Sequence, residues 1–374
     1  MTSRSIATYW IDAPDEASAR SRAIDISLEQ TVEIPGDIVP AGHVAETIVG
    51  RIEALIPGTD SRAGYFAEIS YDDETFDDDF AQFLNVVFGN SSLKNGLRVE
   101  SLMPSPYVAR ICPGPKFGLA GLRRHCGVEN GPLLLSAIKP MGLTTAELAD
   151  IAYRFALGGM DLVKDDHGLT NQLRAPFEAR LEACVAAIAR ANLETGGQTK
   201  FVANITAPAD QLRARAMMAR QAGAGGVMLA PALVGYDTVR SLAADPAFTL
   251  PILSHPSFSG ANVILPTAGF SHAFYFGQLQ RLMGIDAAIY PNFGGRFGFS
   301  EAECRSIVSG CTQPFGGLKA IFPSPGGGMS LDRVPAMRAT YGDDVIYLMG
   351  GSLLRQKDDL PGACRELARA VGRG

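Results

Sequence analysis

Leu133-Leu134-Leu135-Ser136-Ala137-Ile138-Lys139-Pro140 leads, through a helix-period segment over 144–157, into Asp161-Leu162-Val163-Lys164-Asp165-Asp166-His167. Each apolar run stops abruptly in charged or proline residues. The segment between them opens on Thr144-Thr145-Ala146-Glu147, which has capping-box spacing. The stretch therefore reads as strand, helix, strand. Runs that are continuously apolar, rather than alternating, suit parallel strands covered on both faces. The same beat recurs downstream, with apolar runs at Phe201–Ile205, Gly226–Leu229, Pro251–Leu253, Ala287–Tyr290, Lys319–Phe322 and Asp344–Leu348. With Leu133–Ile138 and Asp161–Val163 that makes eight, separated by helical patterns such as Pro176–Asn192, Pro208–Ala222 and Gly269–Met283. Eight βα units in ~245 residues predict a (β/α)₈ TIM barrel over 126–374.

The first 125 residues follow another pattern. Ile6–Ile11, Thr31–Ile34 and Gly64–Ser70 read as strands, and Asp15–Ser27, Val44–Ile56 and Phe80–Leu93 as helices. Residues 1–125 are therefore expected to form a small α+β, ferredoxin-like domain ahead of the barrel. The acidic run Tyr71–Asp79 reads as a solvated loop.

Composition narrows the function. Of 374 residues, 33 are Lys or Arg and 39 Asp or Glu, a net charge of −6 with no basic run, which disfavours nucleic acid as a partner. There is no apolar stretch of about 20 residues, so no membrane span is expected. Six cysteines scattered without CxxC spacing read as reduced thiols, and the chain as cytoplasmic.

In a barrel the chemistry sits at the C-terminal ends of the strands. Those positions hold Lys139-Pro140, Lys164-Asp165-Asp166-His167, Asn204, His255, Asn292 with Arg296, Gly326-Gly327-Gly328 and Gly350-Gly351. The run at 164–167 reads either as a charged turn or as a metal site, since aspartate offers hard oxygen and histidine nitrogen. A lysine crowded at a strand end shifts toward its neutral form and can add carbon dioxide, becoming an anionic carbamate. Gly327-Gly328 and Gly350-Gly351 end the seventh and eighth strands, where barrels bind phosphate through backbone N–H groups.

These residues resemble the RuBisCO family. Gly158-Gly159-Met160-Asp161-Leu162-Val163-Lys164-Asp165-Asp166 resembles its second-strand signature, and Ile138-Lys139-Pro140 its first-strand lysine motif. Pro325-Gly326-Gly327-Gly328-Met329 and Met349-Gly350-Gly351-Ser352 match its two phosphate-gripping turns, and Gly89-Asn90 its subunit-shared asparagine. The resemblance implies Mg²⁺ held by Lys164 as its carbamate (N6-carboxylysine), by Asp166 and by His167, which stands where the family has glutamate. Asp165 either ligates or orients a neighbour. Lys139, His255 and Asn90 are the implied catalytic groups. Gly327, Gly328, Gly350, Gly351 and Arg296 are the implied substrate-binding positions. A homodimer with shared sites follows, each taking Asn90 from the other chain.

The departures from that pattern matter as much. Met141-Gly142 stands where carboxylases carry a second lysine, and Pro256 where an arginine grips the second phosphate. Arg296 is a poor replacement for the mobile lysine of the sixth-strand loop. The chain is similar to RuBisCO-like proteins, the form IV group, and carboxylation of ribulose bisphosphate is not expected. What the resemblance implies instead is enolisation of a singly phosphorylated ketose. Isomerisation of 5-methylthio-D-ribulose 1-phosphate to 1-methylthio-D-xylulose 5-phosphate, in methionine salvage, fits better than 2,3-diketo-5-methylthiopentyl-1-phosphate enolisation. Asn90 stands where that enolase has its basic lysine, and asparagine cannot take a proton. Decarboxylation of an oxo-isoapionate phosphate and a non-catalytic relative are the remaining alternatives.

Overall fold

The computed structural model describes residues 3–59, 62–356 and 358–373. Its first unit is built on β1 (Arg4–Ile11), α1 (Glu16–Glu29), β2 (Arg51–Thr59), β3 (Arg62–Asp72), α2 (Phe80–Phe88) and β4 (Leu97–Met103). The sheet runs β2-β3-β1-β4 with antiparallel neighbours. A fifth strand from the barrel sequence, 268–270, joins β4 in parallel and ties the two units together.

Several expectations for this unit are corrected. Thr31–Ile34 forms no strand, because the Thr31, Val32 and Glu33 N–H groups all fold back onto the Leu28 carbonyl. Val44–Ile56 is not one helix. A single π-turn, Val44–Ile48, precedes β2, and a bulge between Ile52 and Ala54 lets Ile52 and Leu55 both pack on the core. That odd separation imitates helical spacing. Phe80–Leu93 breaks at Gly89, leaving α2 and a 3₁₀ turn, Asn90–Leu93. β4 carries no alternating signal because Leu97, Arg98 and Val99 are all buried. The acidic run is exposed at Glu74 and at Asp77, Asp78 and Asp79, but not at its start. Tyr71 and Asp72 close β3 in the interior, with Asp72 3.4 Å from the Arg4 guanidinium.

α3 (Val108–Ile111) and α4 (Gly118–Cys126) lead into the barrel. Its units are β5 (Leu133–Ile138) with α5 (Thr145–Leu157), β6 (Leu162–Asp165) with α6 (Phe177–Thr195), and β7 (Lys200–Asn204) with α7 (Ala209–Gln221). β8 (Gly226–Leu229) is followed by α8 (Pro231–Val234) and α9 (Tyr236–Ala244), and β9 (Ile252–Ser254) by α10 (Gly260–Val263), β10 (Ala268–Phe270) and α11 (Leu279–Leu282). β11 (Ala287–Pro291) precedes α12 (Glu301–Thr312), β12 (Phe322–Gly326) precedes α13 (Val334–Tyr341), and β13 (Ile346–Leu348) precedes α14 (Gly351–Leu354) and α15 (Leu360–Ala370). The Thr144 capping box forms as expected, and a second one, Ser300 with Glu303, starts α12.

Eight parallel strands run in the order β12-β11-β9-β8-β7-β6-β5-β13, a nearly closed barrel. The seventh barrel strand lies at Phe322–Gly326 rather than Lys319–Phe322, so it contains Pro323 and Pro325. Phe322 donates its N–H to Asp286 on the β11 side. Alternate positions 323 and 325 therefore turn toward β13, and neither proline has an N–H to give. The ladder is open there, and the Ser324 hydroxyl, donating to the Ile346 carbonyl at 3.2 Å, spans the seam.

Inside the barrel, Leu133 and Leu135, Leu162, Val202, Met228, Leu253, Ala287 and Ile289, Phe322 and Ile346 make one apolar cluster. Leu122 and Cys126 of α4 cover it at the N-terminal mouth. Asp286 holds that floor in place. Its carboxylate accepts from the Phe117 and Gly118 N–H groups, both at 2.8 Å, and from Ile252 N–H at 3.0 Å. Asp286→Ala should strip three buried donors of their acceptor and cost about 3 kcal/mol or more in urea unfolding. A loss under about 0.5 kcal/mol would show that the floor is held by packing alone.

Candidate active site

The barrel's apolar interior fixes which strand-end residues face inward, because side chains alternate along a strand. Counting in twos from Leu135, Leu162, Leu253 and Ile346 brings Lys139, Lys164 and Asp166, His255 and Gly350 to the interior at its C-terminal end. Asp165 falls on the opposite parity and points out toward α6. There its carboxylate meets Arg180, Nε to Oδ1 at 2.9 Å, with both side chains fully buried. Burial pushes the Asp165 carboxyl up, and the Arg180 charge works against that shift. Asp165 thus orients a neighbour.

Arg180 is the residue the sequence reading missed. It also donates to the carbonyls of Thr170 at 2.8 Å and Leu169 at 3.4 Å, pinning the loop that carries Asp166 and His167. A signal for it was present. Arg180 sits on the buried stripe of α6 with Phe177, Leu181, Cys184 and Ile188, where an apolar residue is the norm. Asn204 completes the scaffold. Its N–H donates to Asp165 Oδ2 at 3.0 Å, and its side-chain amide donates to the carbonyls of His167 at 3.0 Å and Leu169 at 2.9 Å.

On this frame the cationic and anionic groups converge. Lys164 is 1% exposed, and its amine donates to the Asp165 carbonyl at 3.0 Å. Burial, helped by the Lys139 charge and opposed by Asp166, pushes it down to about 8. Lys139 Nζ lies 3.4 Å from Asp166 Oδ1. Burial alone would push the Asp166 carboxyl up. The His167 hydrogen bond with the Lys164 and Lys139 charges overcomes it, leaving the carboxyl well below the usual carboxylate range. His167 Nδ1 is 3.5 Å from the same oxygen, and the ring is half exposed.

His255 stacks on His167 with ring centroids 4.3 Å apart and planes 11° from parallel. Burial and the neighbouring Lys164 hold it well below the ordinary histidine value, so it is neutral. Its Nδ1 accepts the Ser257 N–H at 3.2 Å, which puts the ring proton on Nε2.

The glycine turns border this cluster. A Cβ on Gly350 would lie 3.7 Å from Lys139 Nζ, so the lysine packs directly on the turn after β13. Gly327 and Gly328 hold φ of +85° and +93°. The Arg296 N–H donates to the Gly327 carbonyl at 3.3 Å, stitching the loop after β11 to that turn. The Arg296 side chain is exposed and lies over Phe297. Asn292 faces outward and accepts from the Tyr341 hydroxyl. Asn90 stays in the small domain, where its amide donates to Glu29 at 3.1 Å. Among the described residues, no hydrogen bond or ion pair links it to the strand ends. His125 Nε2 donates to the Gly225 carbonyl at 2.6 Å, and His43 and His272 pair with Glu74 and Glu303, away from the cluster.

Residues 118–362 match the model of the ribulose bisphosphate carboxylase large chain, catalytic domain. The chain belongs to the RuBisCO family. A 5-methylthioribulose-1-phosphate isomerase of Rhodospirillum rubrum is 40% identical over 96% of this chain and 94% of its own. A 2,3-diketo-5-methylthiopentyl-1-phosphate enolase of Bacillus licheniformis is 34% identical over 93% and 86%. Among solved structures, a Rubisco-like protein from Rhodopseudomonas palustris superposes with a TM-score of 0.86 at 35% identity, covering 100% of this chain and 98% of that one. A dimeric archaeal Rubisco from Hyperthermus butylicus gives 0.86 at 25% identity, covering 99% and 90%. The RuBisCO-family fold thus extends over the small domain and the barrel together.

No three His, Cys, Asp or Glu side chains converge on one point among the described residues. A cation at Asp166 and His167 would therefore need a ligand of another kind. Lys164 fits, because its amine is already easily neutralised and lies beside Asp166. The same displacement makes a stability prediction for the protein free of metal and carbon dioxide. Between pH 8 and about 10.4 the unfolded chain binds the Lys164 proton and the folded chain does not, so wild-type stability from this group rises with pH. Lys164→Met should be the more stable form at pH 7, with its advantage shrinking toward pH 10. Melting curves across that range check it, and a constant offset would contradict it. No helix is long and apolar enough to cross a membrane among the described residues.

Proposed function

We propose that the protein is an isomerase of a singly phosphorylated ketose, converting 5-methylthio-D-ribulose 1-phosphate to 1-methylthio-D-xylulose 5-phosphate. The observation that carries the reading is the buried Lys164 beside Asp166, with the Lys139 amine 3.4 Å from that carboxylate and packed on the Gly350 turn. Homologues bearing the isomerase and enolase names support a place in methionine salvage.

Lys164 as its carbamate, Asp166 and His167 would hold Mg²⁺, which when bound polarises the substrate's carbonyl and adjacent hydroxyl. Gly327-Gly328 and Gly350-Gly351 would grip the phosphate through their N–H groups. Lys139 would take and return protons on the carbon chain. The carbonyl migrates from C2 to C4 of the substrate by successive proton removals and returns, with no net gain or loss of atoms. His255, neutral with its proton on Nε2, donates to a substrate hydroxyl rather than acting as a cation. Pro256 brings no charge for a second phosphate, which argues against ribulose bisphosphate as substrate.

Incubation with Mg²⁺, bicarbonate and 5-methylthioribulose 1-phosphate, followed by phosphorus and proton NMR, tests the reaction. The 5-phosphate product should form, Lys164→Met should abolish it, and radiolabelled carbon dioxide with ribulose bisphosphate should give no phosphoglycerate. Full turnover after removal of carbon dioxide, or in the presence of chelator, would contradict the ligand set. Tautomerisation of the diketone phosphate alone would favour the enolase.

Asn90 belongs to this reading through a homodimer, because its side chain is exposed and, among the described residues, makes no hydrogen bond or ion pair with its own barrel's strand ends. Asn90→Ala and Lys164→Met chains should each be weak or dead alone. Mixed after dissociation, about half the dimers are hybrid and each carries one intact site, so activity should return to at most about a quarter of wild type. No recovery despite hybrids seen by mass spectrometry would remove Asn90 from the shared site.

A further inference from the structure

We infer that Phe258 sets the site's preference for a ligand whose end opposite the phosphate is apolar, by offering its ring to that end. The inference rests on the reading of the site as one for a singly phosphorylated ketose.

Pro256-Ser257-Phe258-Ser259 is a turn, closed by the Ser259 N–H donating to the Pro256 carbonyl at 3.2 Å. Phe258 occupies its third position at φ +67°. Glycine or asparagine is the usual residue there, because a Cβ crowds the backbone in the left-handed region. An aromatic side chain in that conformation is strained, and here the strain is not recovered by burial. The ring is 77% exposed.

The turn is nevertheless held on both sides. Ser257 bonds His255 Nδ1 through its hydroxyl at 2.8 Å as well as its N–H. The buried Ser259 hydroxyl accepts from Tyr275 at 3.0 Å, and Tyr275 in turn shares a 3.0 Å bond with the Tyr236 hydroxyl. Among the described residues, Phe258 alone of the three has no hydrogen-bond or ring partner for its side chain, on a conformation its neighbours dictate. Strain kept in place by surrounding structure is found at ligand clamps.

Position and chemistry point to what the ring would meet. The turn leaves β9 directly after His255, which lies inside the C-terminal mouth against His167. Neither Pro256 nor Phe258 carries a charge that would grip a second phosphate. An aromatic face or edge suits a thioether or alkyl group, and sulfur gains from such contacts.

The test reads binding rather than turnover. Full-length protein loaded with Mg²⁺ and bicarbonate is titrated with 5-methylthioribitol 1-phosphate and with ribitol 1-phosphate, unreactive polyols that differ only in CH₃S against OH. Wild type should prefer the methylthio compound by about tenfold or more, the scale on which one apolar group is discriminated. Phe258→Gly should bring the two to within about twofold by weakening only the methylthio compound, and its melting temperature should not fall, since glycine is at ease at this φ. Phe258→Leu should keep part of the preference. An unchanged preference in Phe258→Gly, or none in wild type, would overturn the inference. So would weakened self-association of Phe258→Gly with ligand preference intact, which would assign the ring to a subunit contact. A preference without conversion of methylthioribulose phosphate would sink the proposed reaction and leave this inference standing.

Discussion

The ion pair between Asp165 and Arg180 is made wholly out of water, and the site hangs from it. A buried pair of this kind contributes little net stability against an apolar pair of the same size, yet breaking one partner costs about 3–5 kcal/mol. Its value here lies in direction. By drawing Asp165 outward to α6, it commits the two flanking residues, Lys164 and Asp166, to the barrel interior. A slip of one residue along β6 would reverse all three. The remaining Arg180 donors tie down the carbonyls of the following loop, so the His167 ring is carried to Asp166 by the same guanidinium.

Once Lys164 and Asp166 face inward, the electrostatics follow from enclosure. Two lysines and one carboxylate share a poorly hydrated space, so each charge is felt strongly by its neighbours. Lys164 is the most deeply buried, and burial pushes its amine down toward the neutral form. His255 is kept neutral by the same surroundings, and its tautomer is chosen by one backbone N–H from Ser257. Lys139, at the end of the first barrel strand, also reaches the turn after the eighth, where a Cβ on Gly350 would lie 3.5 Å from its Cε.

The barrel was legible because parallel strands buried on both faces leave a plain record of apolar runs ending in polar residues. All eight runs overlap strands in place, though the seventh, Lys319–Phe322, does so only at Phe322. The strand itself, Phe322-Pro323-Ser324-Pro325-Gly326, carries two prolines, which ordinarily interrupt a ladder. In the folded protein both prolines face the one seam, next to β13, where the ladder is open. The small domain was less legible. In β2 a bulge displaces the apolar residues by one position and counterfeits a helix, and in β4 burial on both faces erases alternation. These are consequences of pairing partners distant in sequence.

The site divides in the same way. The sequence by itself determined the chemical inventory at the strand ends, Lys139, Lys164, Asp166, His167 and His255 with the paired glycines, because strand-end position follows from local pattern. It also determined the loss of a charged residue at Pro256. Only the tertiary structure decided that Asp165 is a scaffold and not part of the cluster, that Arg180 is its counter-ion, and that the rings of His167 and His255 stack. It alone decided that Phe258 is left strained and exposed. Strand parity turns Asp165 outward and helical spacing puts Arg180 on a buried stripe, but their pairing, the stacked rings and the exposure of Phe258 depend on through-space distances between residues on different elements.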